Sequence, residues 1–157
     1  MNKFIDDLRD EHIRIKDFFS KLEALSSTRD YENRELLFAK LNDVLIPHLE
    51  AEENVLFAEV GSSGNLKDNI LYYTEQHSII KKYTSELNDR SKQADTWQAG
   101  IGVLEELVNM HIQKEESDYK NMISSINPER VGTVYEKYLQ EESRVRKQIQ
   151  DSRTMPY

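Results

Sequence analysis

The stretch His48-Leu-Glu-Ala-Glu52-Glu53 recurs later in the chain as His111-Ile-Gln-Lys-Glu115-Glu116. In both copies a histidine is followed by two adjacent glutamates at the same offset. Residues four apart lie on the same face of an α-helix, so each copy directs an imidazole and a carboxylate the same way. The spacing therefore predicts two helices, each with a His-x-x-x-Glu pair on one face.

Apolar residues recur at steps of three and four through most of the chain, which is typical of amphipathic helices. The pattern predicts five helices, at about 3–24, 30–60, 66–93, 95–124 and 128–150. Asp95 or Thr96 is expected to cap the fourth helix, and Pro128 to occupy the first position of the fifth. A loop is expected at 61–65 and a short tail from Asp151 onward.

Two features inside these helices affect the predicted geometry. Pro47 lies within the second helix and predicts a kink, or a lost backbone hydrogen bond, just before His48. Gly100 and Gly102 either weaken the start of the fourth helix or let a neighbouring helix approach closely.

Four long amphipathic helices with short connections favour an all-α fold, an up-down-up-down four-helix bundle with an additional C-terminal helix. We assign the bundle to residues 1–125, and the C-terminal helix and tail to 126–157 as part of the same domain. The two halves of the chain correspond, because Glu11-His12-Ile13 matches Gln76-His77-Ser78 just as the two glutamate motifs match each other. Each half is thus a helical hairpin.

The composition excludes several classes of function. The chain has 157 residues and a formal net charge of −8. A surface this acidic repels phosphate backbones and anionic membranes, so we expect neither nucleic acid nor a membrane as a partner. The charged N-terminus is not a signal peptide, and we expect a cytoplasmic protein. Because the chain has no cysteine, metal ligands must come from His, Asp, Glu or Tyr.

All four histidines lie on the predicted inner faces, one on each of four helices. Buried carboxylates are costly unless they are paired or bound to metal. We therefore predict a metal site with six ligands: His12, His48, Glu52, His77, His111 and Glu115. Two divalent ions bridged by the two glutamates, with two histidines each, would use every ligand. Open positions would remain for an oxo, hydroxo or water bridge and for a small exogenous ligand.

Imidazole and carboxylate ligands with open positions favour iron, with manganese or zinc as substitutes. Glu53 and Glu116 are alternative ligands, although they are more readily explained as solvated or imidazole-orienting residues. Tyr73 and Tyr119 could contact the centre, but the favoured interpretation is that both pack in the core. Three neighbours of the histidines are assigned to other helix faces: Glu11, Glu75 and Gln76.

At these residues the chain resembles the hemerythrin-like, or HHE cation-binding, family of the four-histidine, two-glutamate type. The resemblance covers about residues 4–123 and is carried by His12, by the segment His48–Phe57, by His77 and by the segment His111–Glu116. It implies a non-haem di-iron centre, bridged by the two carboxylates, inside a four-helix bundle. Oxygen-carrying members have a His-x-x-x-His pair on the third helix, whereas this chain has Tyr73 in place of the earlier histidine.

The resemblance implies a protein that binds or reacts with O2, NO or peroxide and serves in sensing or stress defence; it leaves open whether the protein is an enzyme. Repair of iron centres or iron storage is an alternative, although the repair proteins usually carry a cysteine-containing N-terminal domain that this sequence lacks. A structural helical interaction module is a second alternative. The expected partner is a small diatomic or peroxide ligand. The C-terminal helix is expected to pack either on the outside of the bundle or on a second copy of the chain, as a homodimer.

Overall fold

The computed structural model describes residues 2–61 and 64–154, and within these ranges it contains helices and turns without any strand. The all-α prediction is therefore confirmed. Parts of the predicted 61–65 loop and of the tail lie outside the described residues. The helices are α1 (Lys3–Ala24), α2 (Tyr31–Ala51), a π-helical segment (Glu52–Phe57), α3 (Ala58–Val60), α4 (Lys67–Asp89), α5 (Asp95–Glu116), α6 (Tyr119–Ser124) and α7 (Val131–Thr154).

The helices form the predicted bundle of two hairpins. α1 pairs with α2, α4 pairs with α5, and α1 also packs against α5. The additional C-terminal helix α7 lies along α2 and the π-helical segment. Its apolar side chains Val134 and Tyr138 are almost fully buried against this chain's own core. None of the described helices is long and apolar enough to cross a membrane.

The core consists of two apolar clusters with a polar layer between them. Along α1, Leu8 belongs to one cluster and Ile15 to the other, and His12 lies between these two residues. The same order holds along α4, where the dividing residue is His77. The bundle thus places its histidines at mid-height, where apolar side chains above and below exclude water.

Pro47 removes one backbone hydrogen bond from α2, as predicted. Proline has no N–H to donate to the carbonyl four residues earlier, which belongs to Asp43. The Nε of Arg146 on α7 donates to this carbonyl at 2.9 Å. A lost bond within α2 is thereby replaced by a bond that fixes α7 to α2.

The predicted second helix continues past Ala51 as the π-helical segment. A π-helix forms i→i+5 hydrogen bonds and so accommodates an extra residue relative to an α-helix, commonly at functional sites. Leu56 is fully buried in this segment, whereas Val55 is half-buried. Glu52 is the first residue of the segment, so the change of helix type occurs at a predicted metal ligand.

Three predicted helix boundaries are wrong. α4 ends at Asp89, because Arg90 has an extended backbone with ψ of 142°. Neither Asp95 nor Thr96 caps α5; its N-cap is Ala94, which makes no side-chain hydrogen bond. The predicted fourth helix is also interrupted after Glu116 and resumes as α6.

Pro128 does not begin the last helix. It lies in a turn in which the side chain of Asn127 accepts from the backbone of Glu129 at 3.1 Å. The carbonyl of Asn127 also accepts from the backbone of Arg130 at 2.8 Å. Asparagine followed by proline is well suited to such a turn, and this delays the start of α7 to Val131.

Gly100 and Gly102 provide a matched test of the packing between α4 and α5. A Cβ at Gly100 would lie 2.5 Å from the buried Leu87 side chain and 3.0 Å from the Tyr83 hydroxyl, whereas a Cβ at Gly102 meets nothing. We expect Gly100→Ala to destabilise the protein by about 1–3 kcal/mol through overpacking. Gly102→Ala should stabilise it by about 0.5–1 kcal/mol through helix propensity. Denaturant unfolding measures both; equal effects would contradict the close approach at Gly100.

Candidate metal centre

The six predicted ligands converge at the middle of the bundle, and each residue is at most 2% exposed. α1 contributes one histidine, α4 another, and the last turn of α2 a third. The fourth histidine and one glutamate lie one turn apart on α5, and the other glutamate begins the π-helical segment. These residues are His12, His77, His48, His111, Glu115 and Glu52.

The four imidazoles meet in two pairs. The Nε2 atoms of His12 and His48 are 3.0 Å apart, and those of His77 and His111 are 2.9 Å apart. Two nitrogens that each bind one ion at about 2.1 Å stand roughly 3 Å apart when the angle between them is near 90°. The spacing of both pairs therefore fits one metal ion per pair.

The two carboxylates lie between the imidazole pairs. Glu52 Oε1 is 3.0 Å from His48 Nε2 and 3.6 Å from His77 Nε2. Glu115 Oε2 is 3.1 Å from His111 Nε2 and 3.4 Å from His77 Nε2, and its other oxygen is 3.7 Å from His12 Nε2. Each glutamate thus reaches at least one nitrogen of each pair, as a bridging carboxylate must.

Two buried oxygens in this group, Glu52 Oε1 and Glu115 Oε2, have no hydrogen-bond partner among the described residues. Leaving a buried carboxylate oxygen unsatisfied costs free energy. Cations coordinated by both glutamates and all four imidazoles would satisfy these atoms. The donor set, its spacing and its unsatisfied oxygens therefore fit a pair of metal ions.

In the metal-free protein, the carboxylates favour protonated imidazoles. Burial lowers the pKa of His48, but the charges of Glu52 and Glu11 outweigh burial and raise this pKa well above its usual value. Burial likewise lowers the pKa of His77, but the nearby carboxylates of Glu115 and Glu53 outweigh burial and raise this pKa to about 9. Binding of cations would displace these protons, because only a neutral imidazole ligates a metal.

The two tyrosines near the centre differ in their roles. Tyr73 is buried, and its hydroxyl donates to Asp118 and lies 3.2 Å from the Lys114 carbonyl, so the favoured interpretation of Tyr73 as a core residue is confirmed. The same reading of Tyr119 is wrong, because its hydroxyl points into the centre. Its spacing of four residues places this side chain one turn beyond Glu115 on the same face, although the helix is interrupted after Glu116 and restarts at Tyr119.

The Tyr119 oxygen is crowded by predicted ligands. It lies 2.8 Å from Glu52 Oε2, 2.7 Å from Glu115 Oε1 and 3.0 Å from His12 Nε2. A phenol has a single proton to donate, so it cannot satisfy both carboxylates at once. Burial and the charges of both glutamates raise the pKa of Tyr119 well above its usual value. In the metal-free protein it is therefore a neutral hydrogen-bond donor.

Comparison with known proteins agrees with this geometry. The family model described as the hemerythrin HHE cation binding domain matches residues 3–123. The chain belongs to this family. Searches of the curated proteins and of the solved structures found no match. The matched range contains all six predicted ligands of the hemerythrin domain, and Tyr119, but it ends before α7.

Each imidazole of the hemerythrin domain has its second nitrogen, Nδ1, on the outer side of the centre. Glu116 Oε1 is 2.8 Å from Nδ1 of His12, and Glu53 Oε1 is 3.7 Å from Nδ1 of His77. Both glutamates thus lie on the imidazole-orienting side, away from the Nε2 atoms. Each follows a bridging glutamate of one hairpin and faces a histidine of the other hairpin. These contacts link the two halves of the bundle.

The other two imidazoles have outer partners within their own hairpins. The side-chain oxygen of Gln76 is 2.7 Å from Nδ1 of His111, and Glu11 Oε2 is 3.5 Å from Nδ1 of His48. The assignment of Glu11 and Gln76 to other faces is therefore wrong, whereas Glu75 is exposed as expected. The sequence could have indicated that these two residues play corresponding roles, because Glu11 directly precedes His12 and Gln76 directly precedes the corresponding His77.

The C-terminal helix adds two residues on the outer side of His48 that the sequence analysis missed. The Tyr138 hydroxyl lies 3.0 Å from Nδ1 of His48 and donates to Glu11 Oε1 at 3.0 Å. Glu142, one turn further along α7, is only 8% exposed. Burial and the neighbouring Glu11 raise the pKa of Glu142 to about 8. Its spacing of four from Tyr138 and three from Val145 on an apolar stripe was the available signal.

Gln76 and Glu75 allow a matched test of imidazole orientation. Loss of an outer hydrogen-bond partner typically weakens metal binding 10–100-fold. We expect Gln76→Ala to weaken metal affinity within about that range, because Nδ1 of His111 loses its acceptor. Glu75→Ala alters an exposed neighbour and should leave affinity unchanged. Competition with a chromophoric chelator measures both, and equal affinities would contradict the orienting role of Gln76.

Proposed function

We propose that this chain is a di-iron hemerythrin-like protein that binds or reacts with a small oxidant, O2, NO or peroxide. The observation that carries the proposal is the set of two Nε2 pairs joined by two buried carboxylates. Bound as a pair, iron ions would supply the electrons and open coordination positions that such chemistry requires. Manganese or zinc would fit the same donors.

The surroundings of the centre support a small ligand. The six donor residues are buried, and the apolar clusters on either side of them separate the centre from solvent. A diatomic molecule or peroxide is small enough to reach such a site through thermal motion of the side chains, whereas a larger substrate would need an open cleft. We therefore infer that the size of the ligand is the first property by which the protein selects it.

Tyr119 favours reaction or sensing over simple carriage. Its hydroxyl holds a proton within hydrogen-bond distance of both bridging glutamates. A positioned proton donor in a dry site can stabilise negative charge that develops on a small oxidant. The oxygen-carrying relatives use an additional histidine on the third helix, whereas Tyr73 at the matching position turns its hydroxyl away from the centre.

Metal content tests the proposal directly. We expect two irons per chain after expression with iron, measured by elemental analysis, and loss of bound iron in the His48→Ala, His111→Ala double variant. Stopped-flow absorbance of the reduced protein mixed separately with O2, NO and peroxide should show a spectral change with at least one of them. Less than half an iron per chain, with melting temperatures unaffected by the double substitution, would instead favour a structural interaction module.

Tyr119 and Tyr73 provide a matched pair for the proton-donor role. We expect Tyr119→Phe to retain two irons and to slow the reaction with the oxidant by about 100-fold or more, the usual loss when a positioned proton donor is removed. Tyr73→Phe removes a hydroxyl that faces Lys114 and Asp118 and should react at the wild-type rate. Stopped-flow rates measure both. If Tyr119→Phe reacts as fast as wild type, its hydroxyl has no part in the reaction.

A further inference from the structure

A second group of buried acidic side chains lies on the outer side of His48. Glu11 on α1 is 6% exposed and Glu142 on α7 is 8% exposed. Ligand atoms of Glu11, Glu142 and His48 lie within 4.8 Å of one another. The Oε2 atoms of both glutamates are buried and have no hydrogen-bond partner among the described residues. Two unsatisfied carboxylate oxygens therefore share one small buried space.

Hydrogen bonds to the neighbouring side chains satisfy this pair only in part. Nδ1 of His48 can donate to the Tyr138 hydroxyl, which in turn donates to Glu11 Oε1 at 3.0 Å. That chain leaves Oε2 of Glu11 with only the 3.5 Å approach of His48 Nδ1. Arg146 approaches Glu142 Oε1 only to 3.8 Å and commits its Nε to the Asp43 carbonyl. One distant guanidinium cannot neutralise both groups. Without a cation the two carboxyl groups therefore share a proton, as the raised pKa of Glu142 indicates, and a divalent cation would displace that proton.

The repeat within the chain shows that orienting the imidazole does not require a charge at position 11. Gln76 occupies the corresponding position in the other hairpin and accepts from His111 with a neutral amide. A glutamine at position 11 could do the same for His48. The charge of Glu11, and the presence of Glu142 opposite it, therefore call for a different explanation, which is a positively charged partner.

We propose that Glu11 and Glu142 form an accessory site for one divalent cation, separate from the pair of ions at the centre. Carboxylate oxygen ligands of this kind suit Mg²⁺, Ca²⁺ and Mn²⁺. Nε2 of His48 faces the centre and its Nδ1 faces the accessory site, so one imidazole separates the two. The accessory site depends on α7, which lies beyond the range matched by the family model. It goes beyond the proposed function, and its occupancy is measured separately.

Manganese binding to the iron-loaded, oxidised protein tests the accessory site. We expect the wild-type protein to bind one Mn²⁺ per chain while its iron content stays constant, as counted by elemental analysis and by loss of the free Mn²⁺ resonance signal. Glu142→Gln removes one charge and supplies an amide that can donate to Glu11. It should fold normally by circular dichroism, keep its iron and bind Mn²⁺ at least tenfold more weakly.

Glu136→Gln is the matched control, because it removes the same charge from an exposed position of α7. It should bind Mn²⁺ as wild type does. Glu11→Gln introduces the residue type that the other hairpin has at the corresponding position, Gln76, and this variant should also lose the accessory ion. A wild-type protein that takes up no Mn²⁺, or a Glu142→Gln variant that takes up as much as wild type, would overturn the inference. The iron count reports on the proposed function independently.

Discussion

The structure depends on placing two carboxylates and four imidazoles in the dry middle of a helical bundle. Neither Glu52 nor Glu115 is exposed to solvent, and within the part of the chain that the structure describes each retains an oxygen without a hydrogen-bond partner. Burial of such groups is unfavourable unless charge of the opposite sign accompanies them. The bundle provides protonated imidazoles in the metal-free protein, and it fits metal ions in their place. The six donor residues are held at the same level along the bundle axis by the spacing of the helices, by the π-helical segment and by the two apolar clusters.

The outer partners of the imidazoles explain how the hairpins act together. Glu53 and Glu116 each face a histidine of the opposite hairpin, while Gln76 and Glu11 face histidines of their own. The centre is therefore cross-linked by hydrogen bonds and ion pairs as well as by the ligands. The two hairpins are equivalent in this respect, except at position 11, where a glutamate replaces the neutral amide and α7 supplies the additional Glu142.

Most of the fold, and the place where the donor residues meet, could be predicted from sequence because both depend on helical periodicity. Stripes of apolar residues determine which face is buried, and the matching His-x-x-x-Glu spacings determine which ligands point together. Tyr119 was misjudged even though its spacing of four from Glu115 places both residues on one helix face, because periodicity does not show whether a buried hydroxyl meets a polar group or the apolar core. The contribution of α7 was missed because Tyr138 and Glu142 reach the outer side of His48 through tertiary packing, which a local pattern does not encode. The predicted capping residue of α5 was wrong because the extended backbone is at Ala94, one residue before the side chains that usually cap a helix.

The division of the core into two apolar clusters has a consequence for cooperativity. Each cluster can hold its own end of the bundle together, but the layer between them is stabilised by polar contacts whose strength depends on what occupies the centre. Loss of cations would therefore weaken the coupling between the two ends more than it weakens either end. Local opening at mid-height, with both ends still folded, is the motion that such a layered core makes easiest, and it is the same motion that would admit a small molecule from solvent.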